Sequence, residues 1–290
     1  MKRILITGAG SYIGTRVKAY LEAFPGQYAV SEMNMHGDAW TEASFSGYDA
    51  VLHTAGIVHR ENTKQDPAFL ELYTRVNTEL PVQVARKAKA EGVGQFLFLS
   101  TMSVYGLTAP VGKPVTITKD TPLKPNDHYG RSKAAAEEKL LPLSEDSFRV
   151  AVLRPPIVYG KGCKGNYRAL EAFAQKLPFF PLVENRRSMV YIDNLAELIR
   201  QLIDDGAAGI FCPQNEEYTN TSRMVAAIAR AKGRRVVLVG GFTWALKLLS
   251  PLIPAVNKAF GSLCYDRALS AYGTGYCVKS LPESIAETEN

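Results

Sequence analysis

Short apolar runs alternate with amphipathic segments through the first two-thirds of the chain. The apolar runs are bounded by glycine, proline or polar residues, as buried strands are, whereas the segments between them repeat apolar positions at helical spacing. The predicted strands are 3–7, 28–33, 49–56, 95–100, 149–155 and 209–213, and the predicted helices are 12–24, 69–91 and 129–141. Nearly continuous apolar strands separated by helices are typical of a parallel sheet covered on both faces. The pattern therefore predicts a doubly wound α/β fold.

The regular pattern loosens after Gly160. Residues 161–185 are rich in glycine, proline and aromatic side chains, and 189–203 then read as a strand and a helix that return to the sheet. We therefore predict a larger domain made of residues 1–160 and 189–213, and a small C-terminal lobe made of residues 161–188 and 214–290.

Residues 244–254 of this lobe are apolar except for Lys247 and polar Ser250. Three interpretations are open: packing within the lobe, a dimer contact, and contact with a membrane surface that carries a lipid-linked sugar. The lysine and the two prolines, which interrupt the run, favour the first two.

Composition and charge narrow the class of protein. The net charge of +6 is spread along the chain without an aromatic-basic motif, so we expect no nucleic acid as partner. A mildly positive protein also suits an anionic small substrate. The four cysteines are far apart, which predicts neither a disulfide framework nor a metal site. The start of the chain lacks a signal-like apolar run, and no stretch approaches the roughly 18 apolar residues of a spanning helix. We expect a cytoplasmic protein with no integral membrane segment.

The first strand leads into a glycine-rich sequence, ITGAGSYIG. A strand, a glycine-rich turn and a helix in succession point backbone N–H groups and the positive end of the helix at a pyrophosphate. The loop residues that we expect against a dinucleotide are Gly8, Gly10, Ser11, Tyr12, Ile13 and Gly14. Ser11 stands where a further glycine is usual, and we expect its backbone N–H or its hydroxyl to face the phosphates.

Two polar residues, Glu32 and Asn34, lie near the end of the second strand, about 20 residues after the loop. Glu32 can bind the ribose hydroxyls of NAD, whereas Asn34 can do so without repelling the extra phosphate of NADP. No arginine adjoins them to bind that phosphate. The sequence favours NAD as the cofactor and does not exclude NADP.

The sequence YGRSK places Tyr129 and Lys133 on one face at the start of a helix. An ammonium group near a phenol stabilises the phenolate, so we expect Lys133 to lower the pKa of Tyr129 from about 10 towards neutrality. Tyr129 can then act as an acid and a base on a substrate hydroxyl or carbonyl. Ser100, Thr101 and Ser103 follow a strand at the edge where ligands bind in such sheets, and a hydroxyl there can orient the reacting oxygen.

Six motifs occur in one order along the chain: TGAGSYIG, HTAG, STMSVYG, YGRSK, RPPIVYG and RSMVYIDNLA. Together they resemble the extended short-chain dehydrogenase/reductase family, in particular its nucleotide-sugar epimerase/dehydratase branch, over residues 2–214. The resemblance implies a Rossmann fold in which the larger domain binds the dinucleotide and the small lobe binds the substrate. It also implies a homodimer formed through the helices at 69–91 and 129–141.

The resemblance assigns roles to individual residues. It implies that Thr101, Tyr129 and Lys133 are catalytic, and that Lys133 also binds the nicotinamide ribose. The further residues placed against the cofactor are Asn34, Thr54, Ala55, Gly56, Asn77, Ser100, Tyr129, Lys133, Pro156 and Val158. Arg187 matches the arginine that binds a nucleotide diphosphate, and Ser103 and Asn166 are expected near the substrate.

The combined pattern favours an NAD(P)-dependent 4-epimerase of nucleotide-linked sugars, working through a transient 4-keto sugar with Tyr129 as acid and base. A dehydratase needs a further acid/base pair directly after the threonine, where this chain has Met102 and Ser103, neither of which carries a carboxylate. An NAD(P)H-dependent 4-keto-sugar reductase and a non-catalytic dinucleotide-sensing protein remain as alternatives.

Overall fold

The structure, a computed structural model, describes residues 1–58 and 67–290. The strands are β1 (Lys2–Thr7), β2 (Tyr28–Met33), β3 (Ala50–His53), β4 (Gln95–Leu99), β5 (Val115–Ile117), β6 (Arg149–Leu153), β7 (Ile157–Tyr159), β8 (Phe179–Pro181), β9 (Met189–Tyr191), β10 (Gly209–Phe211), β11 (Val237–Val239) and β12 (Leu263–Tyr265). The α-helices are α1 (Tyr12–Glu22), α2 (Ala39–Glu42), α3 (Pro67–Tyr73), α4 (Leu80–Ala90), α5 (His128–Leu140), α6 (Asn166–Lys176), α7 (Ile192–Asp205), α8 (Thr221–Ala231), α9 (Thr243–Leu249), α10 (Pro254–Phe260) and α11 (Leu281–Glu289).

Within the described residues, six strands form the main sheet in the order β2, β1, β3, β4, β6 and β10, and every neighbouring pair is parallel. The chain changes direction at β1, because β2 lies on one side of it and β3 on the other. The loops after β1 and β3 therefore border a crevice at the carboxyl ends of the strands, where ligands bind in open α/β sheets. The sheet confirms the predicted doubly wound α/β fold.

Both faces of the main sheet are buried. Phe96 and Phe98 point to one face of β4 and Leu97 to the other, and all three are fully buried. On the first face, the two phenylalanines belong to one core cluster with Val82 of α4 and Ala136 of α5. Burying each such large side chain stabilises the fold by about 1.5–3 kcal/mol, which is why continuous apolar strands are found only under two layers of helices.

The helix predicted over 69–91 contains an irregular turn. It consists of α3, a π-helical turn at Thr74–Glu79, and α4. The turn buries the polar residues Asn77 and Thr78, and the Thr78 hydroxyl donates a hydrogen bond to the Ser132 carbonyl of α5 at 2.7 Å. Such turns often occur at functional sites, because the added residue aims a side chain where regular spacing would not.

Strand β9 differs from the prediction. The sequence predicts that 189–203 return to the main sheet, but β9 pairs with β7 in a separate parallel pair, and β10 is the strand added beside β6. An apolar run of this length is equally suited to either place, so its pattern does not indicate which strand it pairs with.

The chain divides into two compact units. Unit 1 comprises Met1–Gly106, Pro122–Pro155 and Ala196–Cys212, and unit 2 comprises Leu107–Thr121, Pro156–Leu195 and Pro213–Asn290. The boundaries drawn from the sequence put residues 107–121, 156–160 and 189–195 into the larger domain, whereas the structure has all three in unit 2. The reason is strand pairing, since β5 pairs with β12 and β7 pairs with β9.

Unit 1 contains the main sheet, and unit 2 is built from short parallel strand pairs and helices. In unit 2, β8 pairs with β11, and α8 packs against α6 and α11. The Tyr159 hydroxyl, at the end of β7, is hydrogen-bonded to the Ser284 hydroxyl of α11 at 2.6 Å. Among the described helices, none combines the length and the apolar character needed to cross a bilayer.

Candidate active site

The turn between β1 and α1 leaves room for a phosphate group. Gly8 and Gly10 adopt φ angles of +110° and +74°, which favour glycine. A Cβ atom on Gly8 would lie 2.5 Å from the Ala55 backbone nitrogen, so the loops after β1 and β3 touch there. A Cβ on Gly10 would meet nothing within 4 Å, so this backbone borders open space beside the N-terminus of α1. These residues fit the predicted dinucleotide, whose pyrophosphate they would hold.

Ser11 caps the helix that follows this turn. Its hydroxyl accepts a hydrogen bond from the Gly14 N–H at 3.2 Å and is hydrogen-bonded to the Thr54 hydroxyl at 2.7 Å. The Ser11 N–H donates to the Gly8 carbonyl at 3.1 Å. Both groups therefore have partners within the protein, which differs from the expectation that one of them faces the phosphates. Serine is a favoured N-cap residue, so its presence has a local structural reason.

At the end of β2, Glu32 lies against the turn. Its carboxylate accepts a hydrogen bond from the Gly10 N–H at 3.5 Å and forms an ion pair with Lys18 of α1 at 3.0 Å. The hydrogen bond and charge of Glu32 raise the pKa of Lys18. The Asn34 side chain instead accepts a hydrogen bond from the His36 N–H at 2.9 Å, in a local turn. Of the two ribose candidates, Glu32 is the one in contact with the loop.

Asn77 and the loop after β3 lie next to α5. The Asn77 side chain accepts a hydrogen bond from the Ile57 N–H at 2.9 Å and donates to the Ile57 carbonyl at 3.0 Å and to the Ser132 hydroxyl at 3.2 Å. A Cβ on Gly56 would lie 3.2 Å from Asn77 Oδ1 and 3.4 Å from Lys133 Nζ. The structure therefore brings Gly56, Asn77 and Lys133 together, as the sequence predicts for residues around one cofactor.

Thr101 and Tyr129 are joined by a side-chain hydrogen bond. Thr101 follows β4 and begins a 3₁₀ turn at Met102–Tyr105, where its hydroxyl accepts a hydrogen bond from the Ser103 N–H at 3.2 Å. Tyr129 lies in the first turn of α5, which Asp127 caps by accepting from the Gly130 N–H at 2.6 Å. Two separate segments thus present their hydroxyl groups to each other, an arrangement that can hold the oxygen of a substrate and exchange a proton with it.

The pKa of Tyr129 moves in the direction opposite to the prediction. Burial raises it to about 12, and the hydrogen bond with Thr101 only partly opposes this effect. Lys133 does not stabilise the phenolate here, because its ammonium group donates to the Leu99 carbonyl at 2.8 Å and lies over the Phe98 ring, 4.5 Å from its centroid. In this state Tyr129 is a neutral phenol and therefore a proton donor at neutral pH.

Lys133 is itself strongly perturbed. Its side chain is buried, and burial lowers its pKa to about 7, while the charge of Glu137 acts in the opposite direction. The same region keeps His53 neutral, because burial and then the charge of Lys133 lower the pKa of His53 to about 3. A lysine that titrates near neutral pH is common at functional sites.

The Lys133 shift predicts a pH dependence of stability. Between about pH 7 and pH 10.5 the unfolded chain holds a proton on Lys133 that the folded protein has released, so stability rises with pH in that window. We expect the difference in unfolding free energy between the natural protein and Lys133→Met to rise by up to about 1.4 kcal/mol per pH unit there. Urea unfolding from pH 6 to pH 10 measures it.

The control for this measurement is Lys139→Met, which removes a lysine from the exposed side of the same helix. A difference between the natural protein and Lys133→Met that stays constant from pH 7 to pH 10 would contradict the proposed titration of Lys133.

Glu137 is a site residue that the sequence reasoning missed. It is buried one turn after Lys133, where its carboxylate accepts a hydrogen bond from the Ser100 hydroxyl and pairs with Arg154. The Arg154 Nε lies 3.1 Å from each carboxylate oxygen, and its Nη1 donates to the Tyr105 hydroxyl at 2.9 Å. The signal in the sequence was the continuation of the Tyr129 and Lys133 spacing by one more helical turn.

Tyr12 and Ile13 begin α1 in unit 1, and four further predicted site residues belong to unit 2. Pro156 directly precedes β7, which contains Val158, and Asn166 is the exposed first residue of α6. Arg187 is partly buried, burial lowers its pKa, and its guanidinium donates a hydrogen bond to the Lys258 carbonyl of α10. Their roles towards cofactor and substrate stay predictions.

Comparison with known proteins gives concordant results. A family model described as the NAD dependent epimerase/dehydratase family matches residues 4–211. The chain is 32% identical to UDP-glucose 4-epimerase of Vibrio cholerae, with 91% of this chain and 87% of that protein covered. It is 25% identical to N-acetyl-alpha-D-glucosaminyl-diphospho-ditrans,octacis-undecaprenol 4-epimerase of Escherichia coli O157:H7, with 96% and 83% covered. A solved dTDP-4-dehydrorhamnose reductase from Clostridium acetobutylicum has a TM-score of 0.72 at 17% identity, with 99% and 98% covered.

These findings confirm the resemblance stated from the six motifs, together with the predicted Rossmann fold, the prediction of an enzyme and the NAD-type cofactor. The matched residues include the glycine-rich turn, Thr101, Tyr129 and Lys133. The chain therefore belongs to the NAD dependent epimerase/dehydratase family.

Proposed function

We propose that this enzyme is a 4-epimerase of nucleotide-linked sugars. The observation that carries the proposal is the hydrogen bond between Thr101 and Tyr129, one helical turn from the buried Lys133. The Vibrio cholerae relative, named as a UDP-glucose 4-epimerase, supports the assignment. The chemistry that NAD supplies when bound is the acceptance and return of a hydride.

In the proposed reaction, Tyr129 reacts as the phenolate: its oxygen accepts the proton of the sugar 4-hydroxyl as the C4–H bond is broken, which leaves a 4-keto sugar and a neutral phenol. The same phenol returns the proton when the opposite face of C4 is reduced. Thr101 holds the reacting oxygen, and Lys133 in its ammonium form supplies the positive charge once it turns from the Leu99 carbonyl towards the phenol. Because burial raises the pKa of Tyr129 to about 12, removal of its proton needs added positive charge nearby.

Dehydration is disfavoured by the residues after Thr101. Met102 and Ser103 lie in the 3₁₀ turn, and neither can supply the carboxylate that removal of water requires. A one-way 4-keto-sugar reductase remains the alternative, since it needs the same three side chains and since a structural neighbour is named a reductase. A protein that only senses dinucleotides would need none of them.

The test is to identify the dinucleotide released from purified protein by mass spectrometry and then to screen 4-hydroxy and 4-keto sugars. The screen includes UDP-sugars, dTDP-sugars and a polyprenyl diphosphate-linked N-acetylglucosamine, which the name of the Escherichia coli relative suggests. Retained NAD with interconversion of 4-epimers supports the proposal. Stoichiometric oxidation of NADPH with a keto sugar establishes the reductase instead, and binding without turnover of any sugar establishes the sensor.

The choice between NAD and NADP is proposed to depend on Glu32. Glu32→Gln is expected to raise the affinity for NADP relative to NAD by about tenfold, because it removes a repelling carboxylate and releases Lys18 for the 2′-phosphate. Titration of each dinucleotide against the purified variant measures the ratio. Glu22→Gln, which removes an equal charge from the end of α1, is the matched control. A ratio equal to that of the natural protein would show that Glu32 does not select the cofactor.

We further propose that unit 1 binds the dinucleotide and that unit 2 binds the sugar, with Arg187, Asn166 and Ser103 near the substrate. The same proposal includes a homodimer in the cytoplasm, formed through the helices at 69–91 and 129–141. Light scattering of the purified enzyme tests the dimer, and an increased KM of Arg187→Ala without loss of kcat tests the substrate role of the arginine.

A further inference from the structure

The helices α9 and α10 expose apolar side chains to solvent. Within the two helices and the residues that flank them, six large apolar side chains are exposed by 38% or more of their surface. We call them the apolar surface, which consists of Phe242, Trp244, Leu248, Leu249, Leu252 and Ile253. No residue of α9 or α10 is buried. Packing within the lobe, one of the interpretations left open by the sequence, does not account for these residues.

Two polar residues of the same segment, Ser250 and Asn257, are hydrogen-bonded within the protein. Ser250 is buried, its hydroxyl donates to the Asn257 side chain at 2.5 Å, and it accepts a hydrogen bond from the Val111 N–H at 3.2 Å. Asn257 donates in return to the Ser250 carbonyl at 2.8 Å. These bonds join the end of α9 to α10 and hold both against the 107–121 segment. The helix pair is therefore fixed to the protein by Ser250, by Asn257 and by Phe260, whose ring centroid lies 5.6 Å from that of Phe180. The six side chains of the apolar surface remain exposed to solvent.

Exposed lysines lie on the two helices and beside them. Lys247 and Lys258 are exposed on α9 and α10, and the Lys247 side chain lies beside Gly112, next to the exposed Lys113. The sequence from 218 to 265 contains no aspartate or glutamate. Its basic residues are Arg223, Arg230, Lys232, Arg234, Arg235, Lys247 and Lys258.

We propose that the apolar surface docks this enzyme onto the interface of a membrane that contains anionic lipids. Large apolar side chains, tryptophan above all, insert at the boundary of headgroups and acyl chains, while lysines at the edge bind anionic headgroups. Each basic residue near an anionic leaflet contributes about 1 kcal/mol to such binding. The proposal is independent of which sugar the enzyme converts.

A second copy of this chain is a poorer occupant of the apolar surface. A twofold interface would bring the surface against itself and bring Lys247 and Lys258 of both copies into the same interface. Because 218–265 contain no acidic residue, the like charges would meet without compensation from this segment. An anionic lipid surface offers acyl chains to the apolar side chains and negatively charged headgroups to the lysines.

The two tryptophans of the chain provide a direct readout. Trp40 is buried at 7% exposure, whereas Trp244 is 71% exposed and lies in the apolar surface. When vesicles of phosphatidylcholine with 30 mol% phosphatidylglycerol (about a third anionic lipid) are added to the full chain, we expect the emission of Trp244 to shift to shorter wavelength. We expect the protein to sediment with these vesicles, less so in high salt and little with pure phosphatidylcholine.

A triple variant tests the apolar side chains: Trp244→Ser, Leu248→Ser and Leu252→Ser. It is expected to lose at least about tenfold in vesicle affinity, whereas Ile210→Ser, which removes an exposed apolar side chain from β10 of unit 1, leaves the affinity unchanged. Lys247→Glu with Lys258→Glu keeps the apolar surface and is expected to abolish the preference for anionic vesicles. Dinucleotide binding and thermal unfolding of each variant verify that it is folded.

Absence of sedimentation and of a Trp244 shift with anionic vesicles overturns the proposal. If the natural protein does not bind vesicles and the triple variant has a lower mass by light scattering than the natural protein, the proposal is also wrong. The apolar surface is then a contact between copies of this chain. Equal binding by the natural protein and the double lysine variant would show that the charge argument is wrong.

Discussion

Replacing Tyr129 with phenylalanine is expected to lower kcat by about 10²–10⁴-fold, while the dissociation constant of the dinucleotide changes little. The ring stays in the first turn of α5, so the local packing is preserved. What is lost is the hydroxyl that is hydrogen-bonded to Thr101 and that, in the proposed mechanism, exchanges a proton with the sugar. The measurement is steady-state turnover of the substrate found in the screen, together with a titration of NAD.

Three further variants serve as comparisons for Tyr129→Phe. Tyr48→Phe removes a hydroxyl from a tyrosine whose ring faces Arg3, away from the residues assigned to catalysis, and should keep full activity. Thr101→Val should lower kcat in the same direction as Tyr129→Phe, whereas Thr101→Ser retains the hydroxyl and should keep most of the activity. Unchanged turnover by Tyr129→Phe would remove the basis of the proposed mechanism.

Replacing Glu137 with leucine is expected to destabilise the protein by about 3–5 kcal/mol, because Arg154 would remain buried without its counter-charge. In the natural protein the side chains of Glu137 and Arg154 are 2% and 7% exposed and their closest atoms are 2.5 Å apart. The same change removes the acceptor of the Ser100 hydroxyl. Urea or thermal unfolding, monitored by circular dichroism, measures the loss.

A double variant separates the cost of leaving the Arg154 charge unpaired from the cost of losing the acceptor of the Ser100 hydroxyl. Glu137→Leu combined with Arg154→Met should recover most of the stability, since removal of both charges leaves no unpaired ion in the interior. Glu184→Ala breaks an exposed pair with Arg223, whose side chains are 72% and 68% exposed, and should cost no more than about 1 kcal/mol. A single Glu137 variant as stable as the natural protein would show that Arg154 finds another partner.

The features that local sequence determines were predictable. The strands of the main sheet were predicted from short apolar runs, and the start of α5 from the spacing of Tyr129 and Lys133. Both predictions depend only on residues within one element. The place of β9 was not predictable, since an apolar strand of three residues carries no information about its partner. The assignment of 107–121 to unit 2 depends on pairing with β12, far away in the chain.

The candidate site shows the same division. The residue types at Thr101, Tyr129 and Lys133 follow from the chemistry of the motifs, but the direction of the Tyr129 pKa shift does not, because it depends on burial rather than on spacing. The hydrogen bond between the Ser11 and Thr54 hydroxyls likewise depends on the pairing of β1 with β3, which brings the distant Thr54 close. The exposure of the run at 244–254 could not be read from its apolar character, which suits an interior as well as a surface.

The π-helical turn at Thr74–Glu79 limits which changes of chain length the enzyme tolerates. Deleting one residue there would allow a regular α-helix to form, so the helical hydrogen bonds would be preserved. Yet each residue removed rotates the preceding helix by about 100° relative to the following one, which would turn Asn77 away from Ile57 or α3 away from its place. Substitutions in this turn therefore act on one side chain at a time, whereas a single deletion or insertion shifts the whole of α3 relative to α4.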